Sequence, residues 1–456
     1  MSEPTHGAAG PEGVAPSNAA DWSDRVSLTF TIGVYVAINA LRDAYCIVDG
    51  PDCAHLKTQF LQGNHDWLAD LTSVTGVHRI ANTDLHPWKM VLGRDEAVEG
   101  FLRQMASFDG AAAVLITSLP MATITGLDYD RVTRTVGLET GTVVASVPSA
   151  SLAGDWLDGY AATLKTLARA VDLDGAAPQP GNVAVVGYLL DRHEGDHRAN
   201  LAEMRRLLEG LGLRLGSVWL SGGSVAELGE VRHASAIVSL PYGREAATIL
   251  ARRLGLPLIE TGLPLGLDGT ERWLRQLAEP LGCADRVDQV VAPELARAVP
   301  SIEWVVPYHL LHRRVVFVGD PHLGLALDEA AGEVGLTVER HVILNRRGHA
   351  EALLRRCGEE RVVLDPKRNT LQQVLAPLFH DGGCDLLVTS SLGVTPGLGG
   401  AAIVEVGFPS FFTHALEDRP FLFFRGFVAL VERMVNELRR AELTASLLGE
   451  TPGPAD

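Results

Sequence analysis

Cysteine is scarce in this chain. There are five in 456 residues, and only Cys46 and Cys53 lie near one another. So sparse and odd a set argues against a disulfide framework and leads us to expect a reducing, cytoplasmic setting. Long apolar runs are missing too, and no stretch is long enough to span a bilayer. Basic residues are outnumbered, 39 Lys and Arg against 56 Asp and Glu, for a formal net charge of −17. That balance argues against broad nucleic-acid binding, which needs clustered basic surface. The opening MSEPTHGAAGPEGVAPSNAADWSD lacks a basic stretch followed by an apolar one, so no secretory signal is expected there. Its Ala, Gly, Pro and Ser content predicts a disordered leader over residues 1–27. Two phosphate loops are also missing. No G-x-G-x-x-G opens a helix after the first strand of a unit, and there is no G-x-x-x-x-G-K-[ST]. The chain is therefore not read as a dehydrogenase or an ATPase.

What is present is core-forming sequence. The chain is 46% apolar and 21% charged, which supports sizeable cores, and 456 residues are too many for one of them. A helix is expected around Val34, Ile38 and Leu41, followed by a strand through Cys46, Ile47 and Val48 that stops at Gly50-Pro51. Further strands are read at 111–120 and 141–151, and an amphipathic helix at 155–171. The Pro/Gly-rich stretch 174–182 reads as a linker. After it come strands at 183–189 and 234–241 and helices at 200–213, 244–257 and within 264–281. A second linker is expected near Pro300–His312. Strands at 314–320 and 385–391 follow, with helices at 325–338 and 424–442. Continuous Val/Ile/Leu strands alternating with helices predict parallel sheets covered on both faces. The expected fold is α/β, three doubly wound, Rossmann-like units over 28–177, 178–310 and 311–456. Ligands are expected at the carboxyl ends of strands and between units.

Several segments, in order, resemble the nitrogenase component 1 type oxidoreductases. These are DAYCIVDGPDCA (43–54), ITSLPMATITGLDYDRV (116–132), NLAEMRRLLEGLGL (200–213) with SGGSVAELGEVRHASAIVSL (221–240), and CDLLVTSS…VEVGFP…RPFLFFRGF (384–427). The resemblance covers most of residues 28–440. It implies a catalytic, electron-accepting subunit with three domains around a substrate cavity. It also implies an iron–sulfur cluster, of [4Fe–4S] type, buried against a homologous component 1 subunit in a homodimer or hetero-oligomer. A separate ATP-dependent iron–sulfur reductase is implied as electron donor, and an organic or tetrapyrrole-type substrate is favoured over dinitrogen. Two further readings stand beside this one. The first is a non-catalytic assembly scaffold or cluster-poor partner subunit, and the second a cluster-free small-molecule-binding protein.

The family commonly places three cluster cysteines in each chain. Here only Cys53 falls on such a position. The first falls around Thr29 to Thr31 and the third on Leu119. The cofactor residues implied are Cys53 and the displaced Cys46 as metal ligands, with Asp49 and Asp52 as candidate carboxylate ligands. Alternation puts Cys46 on the strand face shared with Val48, so packing stands beside ligation for this thiol. His65 and Asp66, in QGNHDW, are candidates to relay protons near the cluster, and a plain loop at a helix end is the alternative. His414 lies where the family surrounds its substrate cavity and is a candidate proton donor or pocket ligand, with Arg425-Gly426 as a nearby turn. His193 and His197 in DRHEGDHR have metal-like spacing, but the segment reads as a solvated polar loop. Cys283, Cys357 and Cys384 read as isolated core or surface thiols. GVTPGLGG (393–400) is either a backbone cradle for an anion or a mobile loop.

Overall fold

Among the described residues thirteen strands form three separate sheets in which every registered pair is parallel. The computed structural model describes residues 21–52, 54–73, 77–86, 94–150, 152–380 and 382–448. The first sheet holds β1 (Ala44–Asp49), β2 (Ile80–Asn82), β3 (Ala113–Ser118) and β4 (Val143–Ser146) in the order β2-β1-β3-β4. The second holds β5 (Asn182–Val186), β6 (Arg214–Val218), β7 (Ala236–Ser239) and β8 (Leu258–Glu260) in the order β6-β5-β7-β8. The third holds β9 (Arg314–Gly319), β10 (Thr337–Ile343), β11 (Val362–Leu364), β12 (Leu386–Thr389) and β13 (Ala402–Glu405) in the order β11-β10-β9-β12-β13. In each sheet the chain leaves the first strand in one direction and later returns on its other side. This doubly wound pattern opens a crevice at the carboxyl ends of the strands where the order reverses.

Strand alternation explains how one sheet serves two cores. Cys46 and Val48 of β1 pack into the large core shared by the three sheets, while Tyr45 and Ile47 pack under the helices Asp95–Ala106 and Tyr129–Thr140. In β9, Val315 and Phe317 face the shared core, and Val316 and Val318 face a smaller one under the helix Arg368–His380.

The helix Phe30–Asn39 is buried along its whole length and crosses the helix Trp156–Ala170 with no side chain between the two backbones. A Cβ on Gly33 would lie 1.8 Å from the Trp156 carbonyl oxygen, and one on Gly159 would lie 1.9 Å from that of Phe30. Both positions therefore require glycine. Asp155 caps the second helix in a capping box with Asp158, and its other oxygen accepts from the Arg346 N–H at 2.9 Å, tying the first sheet to the third. Arg253 caps the other end by donating to the carbonyls of Ala168 and Val171 at 2.7 and 3.0 Å, tying in the second sheet.

Three expectations change. The helix read at 200–213 begins earlier, at Gly195, so His197 lies in its first turn. The single helix read over 325–338 is the helix Pro321–Ala331, a short turn through Gly335 at φ +74°, and the start of β10. The linker read at Pro300–His312 is largely helical. The helix Val287–Ile302 runs through Pro293 and Pro300, and a π-turn follows at Val306–Leu310. Val287, Val291, Ala298 and Ile302 are buried on one face, and that burial outweighs the cost of the prolines. The glycine-rich 393–400 folds onto the third sheet. Leu398 enters its core, and a Cβ on Gly393 would meet the Thr389 hydroxyl at 2.0 Å. Among the described residues no helix is long and apolar enough to cross a membrane.

The helix crossing gives a direct test. Gly159→Ala is expected to lower unfolding stability by about 1–3 kcal/mol, because backbone rather than a flexible side chain must move. Gly100→Ala, in an exposed helix with open space around it, should leave stability unchanged or raise it. Denaturant midpoints of the two variants check this, and equal midpoints would contradict the close crossing.

Candidate active site

The residues expected around a cluster occupy the carboxyl ends of β1 and β3, and most are already committed to other partners. Cys46 is 0% exposed, its sulfur lies 3.7 Å from the Ile47 carbonyl, and burial pushes its thiol pKa up to about 12. In this structure Cys46 packs in the shared core on the same strand face as Val48. Asp49 is also fully buried and takes four donors. Arg94 Nη1 and Nη2 donate at 3.0 and 2.5 Å, the Thr83 hydroxyl at 2.6 Å and the Tyr129 hydroxyl at 2.5 Å. In this structure its lone pairs are filled by these donors, and it is the counter-ion of Arg94. Asp52 is exposed and accepts from the Asn82 amide at 2.9 Å. Cys53 lies outside the described residues. Leu119, at the third family position, is 8% exposed and packs onto Gly50, where an added Cβ would stand 2.7 Å from it. Thr31, near the first position, accepts from Lys57 Nζ at 2.9 Å.

The described thiols therefore do not fit a cluster held by this chain. Cys283, Cys357 and Cys384 are buried in the second and third units, far in the fold from β1. Burial raises the pKa of each, so none is poised as a thiolate.

The expected proton-carrying residues instead converge on a different centre, built largely by DRHEGDHR. This segment leaves the carboxyl end of β5 and turns into the helix Gly195–Gly210. It is buried, not solvated: Asp191, Arg192, Glu194 and His197 are all under 9% exposed. His197 Nε2 lies 2.5 Å from Asp191 Oδ1, and its Nδ1 meets the Tyr188 hydroxyl at 2.8 Å. Burial by itself would raise the Asp191 pKa and lower that of His197. Their mutual attraction wins in both, holding Asp191 well below the usual carboxylate value and His197 above the usual imidazole value. The pair is an ion pair. His65, 0% exposed, has its Nδ1 2.9 Å from the Ser410 N–H and 3.2 Å from the Ser410 carbonyl, and its Nε2 lies 3.7 Å from Asp191 Oδ1.

Asp66 lies beside this pair. Its Oδ2 accepts from Asn39 Nδ2 at 2.8 Å and meets His193 Nδ1 at 2.7 Å, while Leu68 N–H donates to Oδ1 at 2.9 Å. Burial opposes its ionisation, but these bonds together hold its pKa below the usual value. The segment 408–421, after β13, closes over this centre. Ala415 O accepts from Gly195 N–H at 2.9 Å, and a Cβ on Gly195 would lie 2.1 Å from Glu417 O, so only glycine admits the strap. Glu194 takes the Ala415 N–H at 2.7 Å and holds His414 Nδ1 at 2.6 Å. Arg192 donates to Thr413 O at 2.7 Å and to Asp196 at 2.5 Å. The His414 ring stacks on Trp67 at 3.6 Å. A cleft of about 430 Å³ opens between the strap, the start of the helix Gly195–Gly210 and the C-terminal helix Phe423–Leu447.

The structure thus brings His65, Asp66 and His414 into one region and separates them from the Cys46 and Asp49 end of β1. The sequence reading missed Asp191, Arg192, Glu194 and Trp67, and it misplaced His193 and His197. The available signal was position: the segment follows the first strand of the middle unit, where doubly wound sheets bind ligands.

Two outcomes follow from these environments. Asp49→Asn should destabilise the fold by about 3 kcal/mol or more, because Arg94 is left buried without its counter-charge; equilibrium denaturation measures this. The His197–Asp191 pair has a defined pH window. Asp191, with a depressed pKa, contributes fully above the usual 3.8 and loses its contribution only as pH falls through its lower folded value. His197, with a raised pKa, contributes fully below the usual 6.5 and loses its contribution as pH rises through its higher folded value. The stability gap between wild type and His197→Gln should therefore be widest between those two values and narrow on the alkaline side. A gap that widens with alkalinity would contradict the ion pair.

The whole span of the chain that carries these features matches a family. Residues 30–439 match the model of the nitrogenase component 1 type oxidoreductases. A nitrogenase molybdenum-iron protein alpha chain from Methanothermobacter marburgensis is 23% identical over 364 residues, 78% of this chain and 74% of that protein. A light-independent protochlorophyllide reductase polypeptide from Methylobacterium radiotolerans is 33% identical over 149 residues, which is 31% of this chain and spans only 27% of that protein. Among solved structures, nitrogenase Cp1 at pH 6.5 superposes with a TM-score of 0.78 at 16% identity, covering 97% of both chains, which establishes the shared fold. The chain belongs to the nitrogenase component 1 type oxidoreductases.

Proposed function

We propose that this chain is the ligand-poor subunit of a nitrogenase-like reductase. In this reading it binds an organic or tetrapyrrole-type substrate in the cleft beside the strap and supplies protons for its reduction. The observation that carries the reading is the His414–Glu194 pair on the cleft wall. A carboxylate at 2.6 Å fixes the imidazole through Nδ1 and leaves Nε2 without a protein partner among the described residues. An imidazole oriented in this way is suited to general acid chemistry. The buried Asp191–His197 pair and the Asp66–His193 pair hold the surrounding segments in place.

The proposed partners are a homologous component 1 subunit and an ATP-dependent iron–sulfur reductase, in a cytoplasmic setting. The absence of a convergent thiol set among the described residues favours a cluster held mainly by the partner subunit, with Cys53 as this chain's candidate contribution. The same absence favours this reading over that of a self-sufficient catalytic chain.

Anaerobic co-expression with a homologous subunit and an ATP-dependent reductase tests the proposal. Iron and sulfide should be recovered with the complex and not with this chain alone. His414→Ala should lower turnover roughly 100-fold without disturbing assembly, the scale of a lost general acid. Full turnover by His414→Ala, or a stoichiometric cluster in the isolated chain, would refute the reading.

A further inference from the structure

Besides His414, the cleft is lined by Arg433, from the C-terminal helix, and by Arg192 and Arg419. These three guanidinium groups are not equally satisfied: Arg419 is exposed and lies 3.6 Å from Glu432. Arg192 spends its donors on Thr413 O and Asp196, with Glu194 at 3.4 Å. Arg433 has no carboxylate partner among the described residues; its only hydrogen bond goes from Nη2 to the Glu405 carbonyl. The rest of its fork is left facing the cleft it lines. Burial lowers the Arg433 pKa and the positive charge of Arg192 adds to that, while Asp196, Glu405 and Glu437 only partly compensate. None of these carboxylates is hydrogen-bonded to it, so its fork lacks a directly paired anion, and direct pairing is what stabilises a buried charge.

We propose that the cleft takes the carboxylate of an organic acid, with Arg433 as the group that anchors it. This rests on the reading of the cleft as the substrate site and names the class of substrate. The planar fork of arginine matches a carboxylate in two parallel hydrogen bonds. Part of the lining, including Leu416, Phe421 and Leu430, is apolar and suits a carbon skeleton. Asp196 and Glu417 also line the cleft and oppose a doubly charged phosphate more strongly than a singly charged carboxylate. A ligand held by Arg433 lies in the same cavity as the imidazole of His414, so anchor and proton donor act on one molecule. At about 430 Å³ the cleft is within the range of small-ligand sites.

The test uses the full chain and three probes: benzoate, its neutral isostere benzamide, and inorganic phosphate. Trp67 stacks on His414, so occupancy is read as a change in tryptophan emission that Trp67→Phe removes. Benzoate should give a saturable change and benzamide none. Arg433→Gln should weaken benzoate binding at least tenfold, and Arg433→Lys should recover part of it. Equal responses to benzoate and benzamide, no saturable response to benzoate, or unchanged affinity in Arg433→Gln would each overturn the proposal. Tighter saturation by phosphate would overturn the carboxylate assignment. If Arg433→Gln does not fold, the benzoate–benzamide comparison in the wild-type chain still decides. Benzoate binding that depends on Arg433, together with full turnover by His414→Ala in the reconstituted complex, would uphold the anchor and refute the proton-donor reading.

Discussion

Asp191 is a charged carboxylate with almost no access to water, and the architecture around the cleft follows from keeping it charged. An unpaired carboxylate at that depth would take up a proton or open the fold. The protonated His197 prevents both, and Tyr188 and Asn200 fix the far side of the imidazole. Because His197 lies in the first turn of its helix, the pair fixes where that helix begins. The start of the helix in turn sets Gly195, Glu194 and Arg192, three of the residues on which the strap rests. His414 reaches the cleft at the end of this sequence of constraints. The placement of the candidate proton donor is thus a consequence of a buried ion pair on another segment.

The same logic separates the two ends of the first sheet's story. Around Asp49 the protein has built a closed ion pair with Arg94, capped by two hydroxyls, and has filled the neighbouring family positions with Leu119 and Thr31. Those are the choices of a packed interior. Around Asp191 it has built charged pairs that border a cavity. The fold is shared with nitrogenase component 1, and in this chain Arg192, Asp196, His414 and Arg433 line the cleft between the second and third units.

Much of the architecture was legible because it depends on short-range pattern. Valine, isoleucine and leucine runs marked β1, β3, β5, β7, β9 and β12, and the amphipathic pattern of residues 155–171 marked their helix. Short edge strands such as β2, β8 and β11 were not legible, since three residues carry no periodicity of their own. The prolines at 293 and 300 read as a boundary, although burial of one helix face carries the helix through them.

The sequence by itself determined the α/β class, the parallel sheets, the family resemblance and the shortage of cluster cysteines, because hydrophobic runs, turn residues and residue identities are local properties. It also singled out His65, Asp66 and His414. Only the tertiary structure decided what these residues face. Asp66 meets His193 across 127 positions and Glu194 meets His414 across 220, so neither partner could be named from spacing. Burial decided the rest. The interior holds Cys46, and most of DRHEGDHR, polar enough for a solvent loop, is buried because its charges pair with one another and with groups such as Asp66 and His414 on other segments.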